Sequence, residues 1–215
     1  MTPETSKLHL DEATPPESPP VRERDGRTQR TRRSLGLAAL ELFESKGVEN
    51  VTVADVAAAA GVTERTFFRH FRSKEEAALL IHQRFDAALL DGLAVAPKAP
   101  PHEILAGLYR GVLEAFEDRG SPQAMEMLRV QTLVAQSPQL RLASLRRDDD
   151  RAEELVAHLR SHAATTSGDD ELDVRMAVEV TGAAVRTAFI NWSASDDSVG
   201  LADLFDRCLR AVPTW

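Results

Sequence analysis

The stretch TERTFFRHFRSK, residues 63–74, sets five cationic or imidazole side chains among three phenylalanines. Phe67 and Phe71 stand four apart, so on a helix they pack inward together. That leaves the cations outward, and what they can do there is hold an anion. His70, three residues before Ser73 and close to the next turn, is placed to reach a phosphate. Lys74 falls in the first turn of the helix that Ser73 opens, where the helix dipole disfavours a cation. A phosphate docked on that helix N-terminus would make the lysine favourable again, and Glu75 and Glu76 offer a second way to neutralise it.

Other chemistry is weaker. His158 and His162 are four apart on one helical face, a spacing that can hold a metal, with carboxylates nearby in RRDDDRAEE. A solvated polar face is the simpler reading, and no metal is expected. Cys208 sits among Leu204, Phe205 and Leu209 and reads as a core thiol. No G-x-S-x-G, phosphate-binding loop or dinucleotide fingerprint occurs, so neither an enzyme nor a cofactor is expected. Two rivals are carried beside the nucleic-acid reading: a helical enzyme, and a protein-interaction adaptor.

The elements that position this stretch are legible. Leu35, Ala38, Ala39, Leu42 and Phe43 recur on one helical face, and Gly47 stops that helix. Thr52 opens a short second helix, with Asp55 three residues on as in a capping box. Gly61 supplies the left-handed residue of a tight turn. Thr63 caps the third helix at once, its hydroxyl accepting the Thr66 N–H. Helix, glycine turn, helix is a helix-turn-helix by spacing. Ser73 and Glu76 predict a full capping box opening a longer fourth helix.

Beyond it, proline punctuates a helical chain, with helices predicted near 102–118, 122–136, 138–162, 170–193 and 199–211. The expectation is an all-α fold of about nine helices. Residues 1–21, with five prolines, read as a disordered tail. Residues 22–73 read as the helix-turn-helix domain and 74–215 as a larger helical domain.

Charge divides in the same way. The chain of 215 residues carries a net −8. Residues 22–74 nevertheless hold eleven Lys or Arg against seven Asp or Glu, while residues 75–215 hold fourteen against twenty-three. A basic N-terminal quarter on an acidic body points to a nucleic-acid partner for that quarter alone. One cysteine rules out an internal disulfide and fits a reducing cytosol. No uncharged apolar run approaches the length needed to span a bilayer, so a soluble cytoplasmic protein is expected.

The segment LAALELFESKGVENVTVADVAAAAGVTERTFFRHFRSKEEAALL resembles the N-terminal domain of the tetracycline-repressor-like (TetR) family over roughly residues 27–80. LF…G, T…VA…AGV, the aromatic pair, HF and SK all fall at family spacing. The resemblance implies a homodimeric regulator of transcription that binds operator DNA, usually a repressor released by a small molecule. By position it implies phosphate contacts from Thr52, Thr63, His70 and Lys74. It sets Glu64, Arg65 and Arg69 against bases or nearby backbone, with Thr66 and Phe68 in the same surface. Phe68 departs from the family's usual tyrosine, which removes a hydroxyl contact and leaves a ring able to meet a thymine methyl.

In the larger domain, the helices from about 102 to 164 are expected to enclose a ligand cavity. Its expected large lining residues are Phe85, Tyr109, Phe116, Met125, Met127 and Met176. The small residues Ala177, Thr181, Ala184 and Ala188 form an i+3/i+4 stripe suited to close helix packing. With Leu201, Leu204, Phe205 and Leu209 of the last helix, they are expected to form a two-fold dimer bundle.

Overall fold

The computed structural model describes residues 21–162, 171–195 and 199–212. The tail expected over 1–21 lies almost wholly outside them. Ten α-helices and no strand occur among the described residues, and none of these helices is long and apolar enough to cross a membrane.

The basic quarter folds around α1 (Val21–Lys46), α2 (Val53–Ala59) and α3 (Glu64–His70). Their inner faces bury Leu35, Ala39, Phe43, Val56, Phe67 and Phe71 in one core. Short helices cannot stand on propensity alone, so their ends matter. At α2 the Thr52 hydroxyl accepts the Asp55 N–H at 3.2 Å, and the Asp55 carboxylate accepts the Thr52 N–H at 2.8 Å. The Thr52 hydroxyl, 2.6 Å from the Asp55 carboxylate, and then the Thr52 N–H hold that carboxyl below its ordinary range. The helix closes with paired bonds from Val62 N to Ala57 O (2.9 Å) and from Gly61 N to Ala58 O (3.0 Å). Gly61 sits at φ 68°, the left-handed residue that closure requires.

α4 (Lys74–Ala78) and α5 (Leu80–Ala94) replace the single fourth helix expected from the sequence. Ser73 accepts the Glu76 N–H as foreseen, at 3.1 Å. Glu76 instead reaches back to the Arg72 N–H at 2.7 Å, so the reciprocal half of the expected box does not form. The break falls at Leu79, with φ −87° and ψ 18°. Residues 77–81 are all buried, more than one apolar stripe of a straight helix can cover. The change of direction at Leu79 brings all five under cover. This break accounts for ten helices rather than nine.

The body comprises α5 with α6 (Pro101–Leu113), α7 (Pro122–Gln136), α8 (Pro138–His162), α9 (Glu171–Ala194) and α10 (Leu201–Arg210). α9 is the central strut, packed on α6, α8 and α10. Phe85, Phe116, Phe189 and Trp192 meet at ring separations of 5.8–6.5 Å and fill the space beside it. Two expectations change here. Ala177, Thr181, Ala184 and Ala188 are buried within the protomer, as are Leu201, Leu204, Phe205 and Leu209. Their small size lets α9 lie close to its own neighbours, so they are core residues and not an outer face. Met125 and Met176 are exposed and are not among the residues that line the cavity of the body.

Candidate nucleic-acid interface and cavity

α3 presents Arg65, Phe68 and Arg69 outward at i, i+3 and i+4, with Phe67 buried on the opposite side. Phe68 is 57% exposed, unusual for a ring of that size. It packs edge-on against Phe67 with centroids 5.5 Å apart, so its direction is set from below. Glu64 is exposed in the first turn. Thr63 caps the helix through the Thr66 N–H, and the two hydroxyls lie 3.1 Å apart. Thr52 also gives its hydroxyl to capping, at 2.6 Å from the Asp55 carboxylate. These threonines hold the helix starts in place, whatever else they meet.

His70 is half-buried, and its pKa lies below the ordinary value because of desolvation, with Arg69 and Arg32 adding to it. In the free chain this favours the uncharged imidazole, which can meet a phosphate as a hydrogen-bond donor. Lys74 lies elsewhere than the sequence suggests. Its Nζ donates to the Val48 and Val51 carbonyls and sits 5.7 Å from the Phe43 ring centroid. The dipole problem at the start of α4 is thus answered within the chain, by backbone oxygens at the α1–α2 turn.

The reader and the body are held together at several points. Arg129 of α7 makes a bidentate bond to Glu44 of α1, at 2.7 and 2.6 Å. Arg32 of α1 bonds Gln83 of α5 and stands over the Phe71 ring. At Gly36 an added Cβ would meet Leu80 Cδ2 at 2.9 Å and the Ala77 carbonyl at 3.1 Å. Only glycine lets α1 approach the α4–α5 bend so closely.

The body holds a cavity of about 730 Å³ between α5, α7, α8 and α9. Of the residues expected to line it, Phe85 and Met127 do so. Tyr109 borders a smaller neighbouring recess, and Phe116 belongs to the aromatic core. Part of its lining is apolar: Phe85, Met127, Val134, Val185 and Phe189. Arg141, Asp148, Arg151 and Arg186 also line the cavity, and the charged network they belong to escaped the sequence reading. Asp86 of α5 is paired with Arg147 and Arg151 of α8, and Asp148 with Arg151 at 2.8 Å and Arg186 at 3.7 Å. Burial alone would lower the Arg151 pKa, but Tyr109, Asp148 and Asp86 raise it above its usual value. Desolvation raises the Asp148 carboxyl despite Arg151 and Arg186. His82, half-buried in the lining beside Gln131, is pushed down to about 3 by desolvation and by Arg147 and Arg151. The hint in the sequence was His82 and Asp86 four apart on one apolar helix, but their partners lie some sixty residues away.

His158 Nδ1 lies 2.8 Å from the Glu154 carbonyl. The side chain of His162 lies outside the described residues.

A helix-turn-helix with an aromatic and cationic outer face, seated on a helical body with a cavity, defines a class: the DNA-binding regulators of transcription. Comparison with known proteins narrows it. The sequence model described as "Bacterial regulatory proteins, tetR family" matches residues 37–79. The HTH-type transcriptional regulator TcmR of Streptomyces glaucescens is 36% identical over 206 residues, covering 92% of this chain and 88% of that one. The chain belongs to the TetR family. Solved structures share the fold. The fatty acid degradation regulator FadR of Bacillus halodurans superposes with a TM-score of 0.54 at 21% identity, over 84% of this chain and 93% of that one. A TetR-family regulator of Syntrophomonas wolfei gives 0.57 at 15%, over 85% and 93%.

Proposed function

We propose that this ligand-responsive regulator is a repressor that binds a palindromic operator as a homodimer and leaves it when a small molecule fills the body cavity. The carrying observation is the outward face of α3, where Arg65, Phe68 and Arg69 stand on a helix capped at its start and pinned by Phe67. In such a motif the second helix enters the major groove by its N-terminal end. Arg65 and Arg69 then read base edges or nearby backbone, and Phe68 meets a thymine methyl. Glu64 and Thr66 flank that contact, while Thr52, Thr63 and His70 face phosphates. Lys74 acts through the fold, by fastening α4 to the α1–α2 turn.

For the dimer, the exposed side of α9 replaces the stripe expected from the sequence. Leu172 and Met176 are 61% and 51% exposed, and Val180, Ala183 and Thr187 continue the same face at steps of three or four. A mostly apolar face of that length on the central strut, whose Ala183 and Thr187 also border the cavity, suits a second copy related by two-fold symmetry. The reader extends through α4, with the boundary to the body at the Leu79 bend and not at residue 73, because α4 packs on α1.

The test is capture of sheared genomic DNA by the purified full chain. A few loci should be enriched with the native protein and lost with Arg65→Ala. Uniform recovery of all fragments would replace this reading with non-specific binding, and no recovery would favour the adaptor.

A further inference from the structure

On the reading of the cavity as an effector site, the geometry points to a ligand class: an apolar organic anion whose negative group seats against Arg186. Charge balance in the wall carries the argument. Among the described residues, the ion pairs of Arg147, Arg151 and Arg186 go to two carboxylates, Asp86 and Asp148, while Asp149 and Glu179 border the smaller recess on the far side of Arg186, Glu179 within 4.0 Å of Arg175. Arg151 is held by both carboxylates, at 3.1 and 2.8 Å, and Arg147 is held by Asp86. Arg186 is left with the longest contact, 3.7 Å to an Asp148 that Arg151 already engages. Its side chain is 40% exposed and lines the cavity. Arg141 adds a further cation to the same lining. The arginine Nε of Arg147 is buried without a hydrogen-bond partner, so donors outnumber acceptors behind the wall as well.

A cationic ligand would have to compete with guanidinium groups already bonded to both aspartates. An anion needs only to draw Arg186 off a long contact, and a guanidinium offers a fork of donors to a carboxylate, phenolate or sulfonate. Around it, Phe85, Met127, Val134, Val185 and Phe189 give the lining its apolar surface. The ligand body is therefore carbon-rich, and its charge sits at one end.

Two probes that share one body isolate the charge: 8-anilinonaphthalene-1-sulfonate, and N-phenyl-1-naphthylamine, which lacks the sulfonate. Each is titrated by fluorescence into the native chain, Arg186→Gln, Arg186→Lys and Val134→Trp, with the fold of each variant checked by circular dichroism. The sulfonate should bind roughly tenfold or more tighter than the neutral probe, as a charge-assisted bond implies. Arg186→Gln should remove most of that advantage while leaving the neutral probe within about twofold, and Arg186→Lys should restore part of it. Val134→Trp should weaken both probes by filling the cavity. Equal native affinities, or equal losses in Arg186→Gln, would overturn the anion preference and leave the effector reading standing. Absence of binding by either probe, or binding that Val134→Trp does not touch, would overturn both.

Discussion

At the scale of residues, the side chains that carry function divide by what they already hold. Arg65 is exposed and bonds nothing that shapes the fold, so Arg65→Ala should leave stability within about 0.5 kcal/mol of the native chain. It should relax preference at one operator base pair, worth about 1–3 kcal/mol. Lys74→Ala differs in kind. It strips two part-buried carbonyls of their donor and should cost about 1–3 kcal/mol of folding stability. All DNA sequences would then weaken together. Thermal melts with binding curves on matched and scrambled duplexes separate the two. His82 gives a pH prediction. The folded chain protonates it only near pH 3, whereas the unfolded chain does so near 6.5. Below pH 6.5 the unfolded state therefore holds more protons, and stability falls as pH drops through 6.5 toward 3. Between pH 7.5 and 5 this group alone should remove about 2 kcal/mol. From pH 7.5 to 5 the urea midpoint of the native chain should fall relative to that of His82→Gln, by the equivalent of about 2 kcal/mol; parallel curves would show that His82 is not the group responsible.

At the scale of elements, two glycines hold the reader in shape for different reasons. Gly61 has φ 68° and open space around it, so Gly61→Ala should cost only the left-handed strain, about 1–2 kcal/mol. Gly36 has ordinary backbone but no room, and Gly36→Ala should push the α4–α5 bend off α1. An overpacked site of that kind costs about 1–3 kcal/mol. DNA affinity should fall further in Gly36→Ala than in Gly61→Ala at matched loss of stability, because only the first moves the reader against the body. Denaturant titrations paired with anisotropy on one operator duplex check this. Much of this level was readable beforehand. Thr52, Thr63 and Ser73 cap through neighbours three residues on, and Gly61 closes a local turn, so the signals lie within a short window. The Leu79 break was not readable, since it answers to packing of residues 77–81 against α1. Nor was the charged cavity wall: RRDDDRAEE reads as solvated until Asp86 and Arg186 arrive from other helices.

At the scale of the whole molecule, the small-residue stripe of α9 shows what sequence leaves open. Ala177, Thr181, Ala184 and Ala188 signal close helix packing, but the same pattern serves a partner copy or the chain's own helices. Here it serves the chain's own. Ala184→Arg should therefore unfold the body, whereas Leu172→Glu with Met176→Glu should give folded monomers with weakened operator binding. Light scattering with circular dichroism distinguishes these outcomes. Two contacts join the cavity-bearing body to the reader and would carry any coupling between them, the α4–α5 bend and the Arg129–Glu44 clamp. Reciprocity requires that operator DNA weaken the effector by the same factor that the effector weakens the operator, typically 5–150-fold.

The central claim is that two copies of α3 read one piece of DNA in adjacent major grooves. Hydroxyl-radical footprinting on a captured genomic fragment tests it most directly. The account predicts two protected blocks on one face of the duplex, their centres about one helical turn, or a whole multiple of turns, apart and related by an inverted repeat. Both blocks should vanish together in the Leu172→Glu, Met176→Glu chain. A single asymmetric block, or protection that survives intact in that monomeric variant, would contradict it.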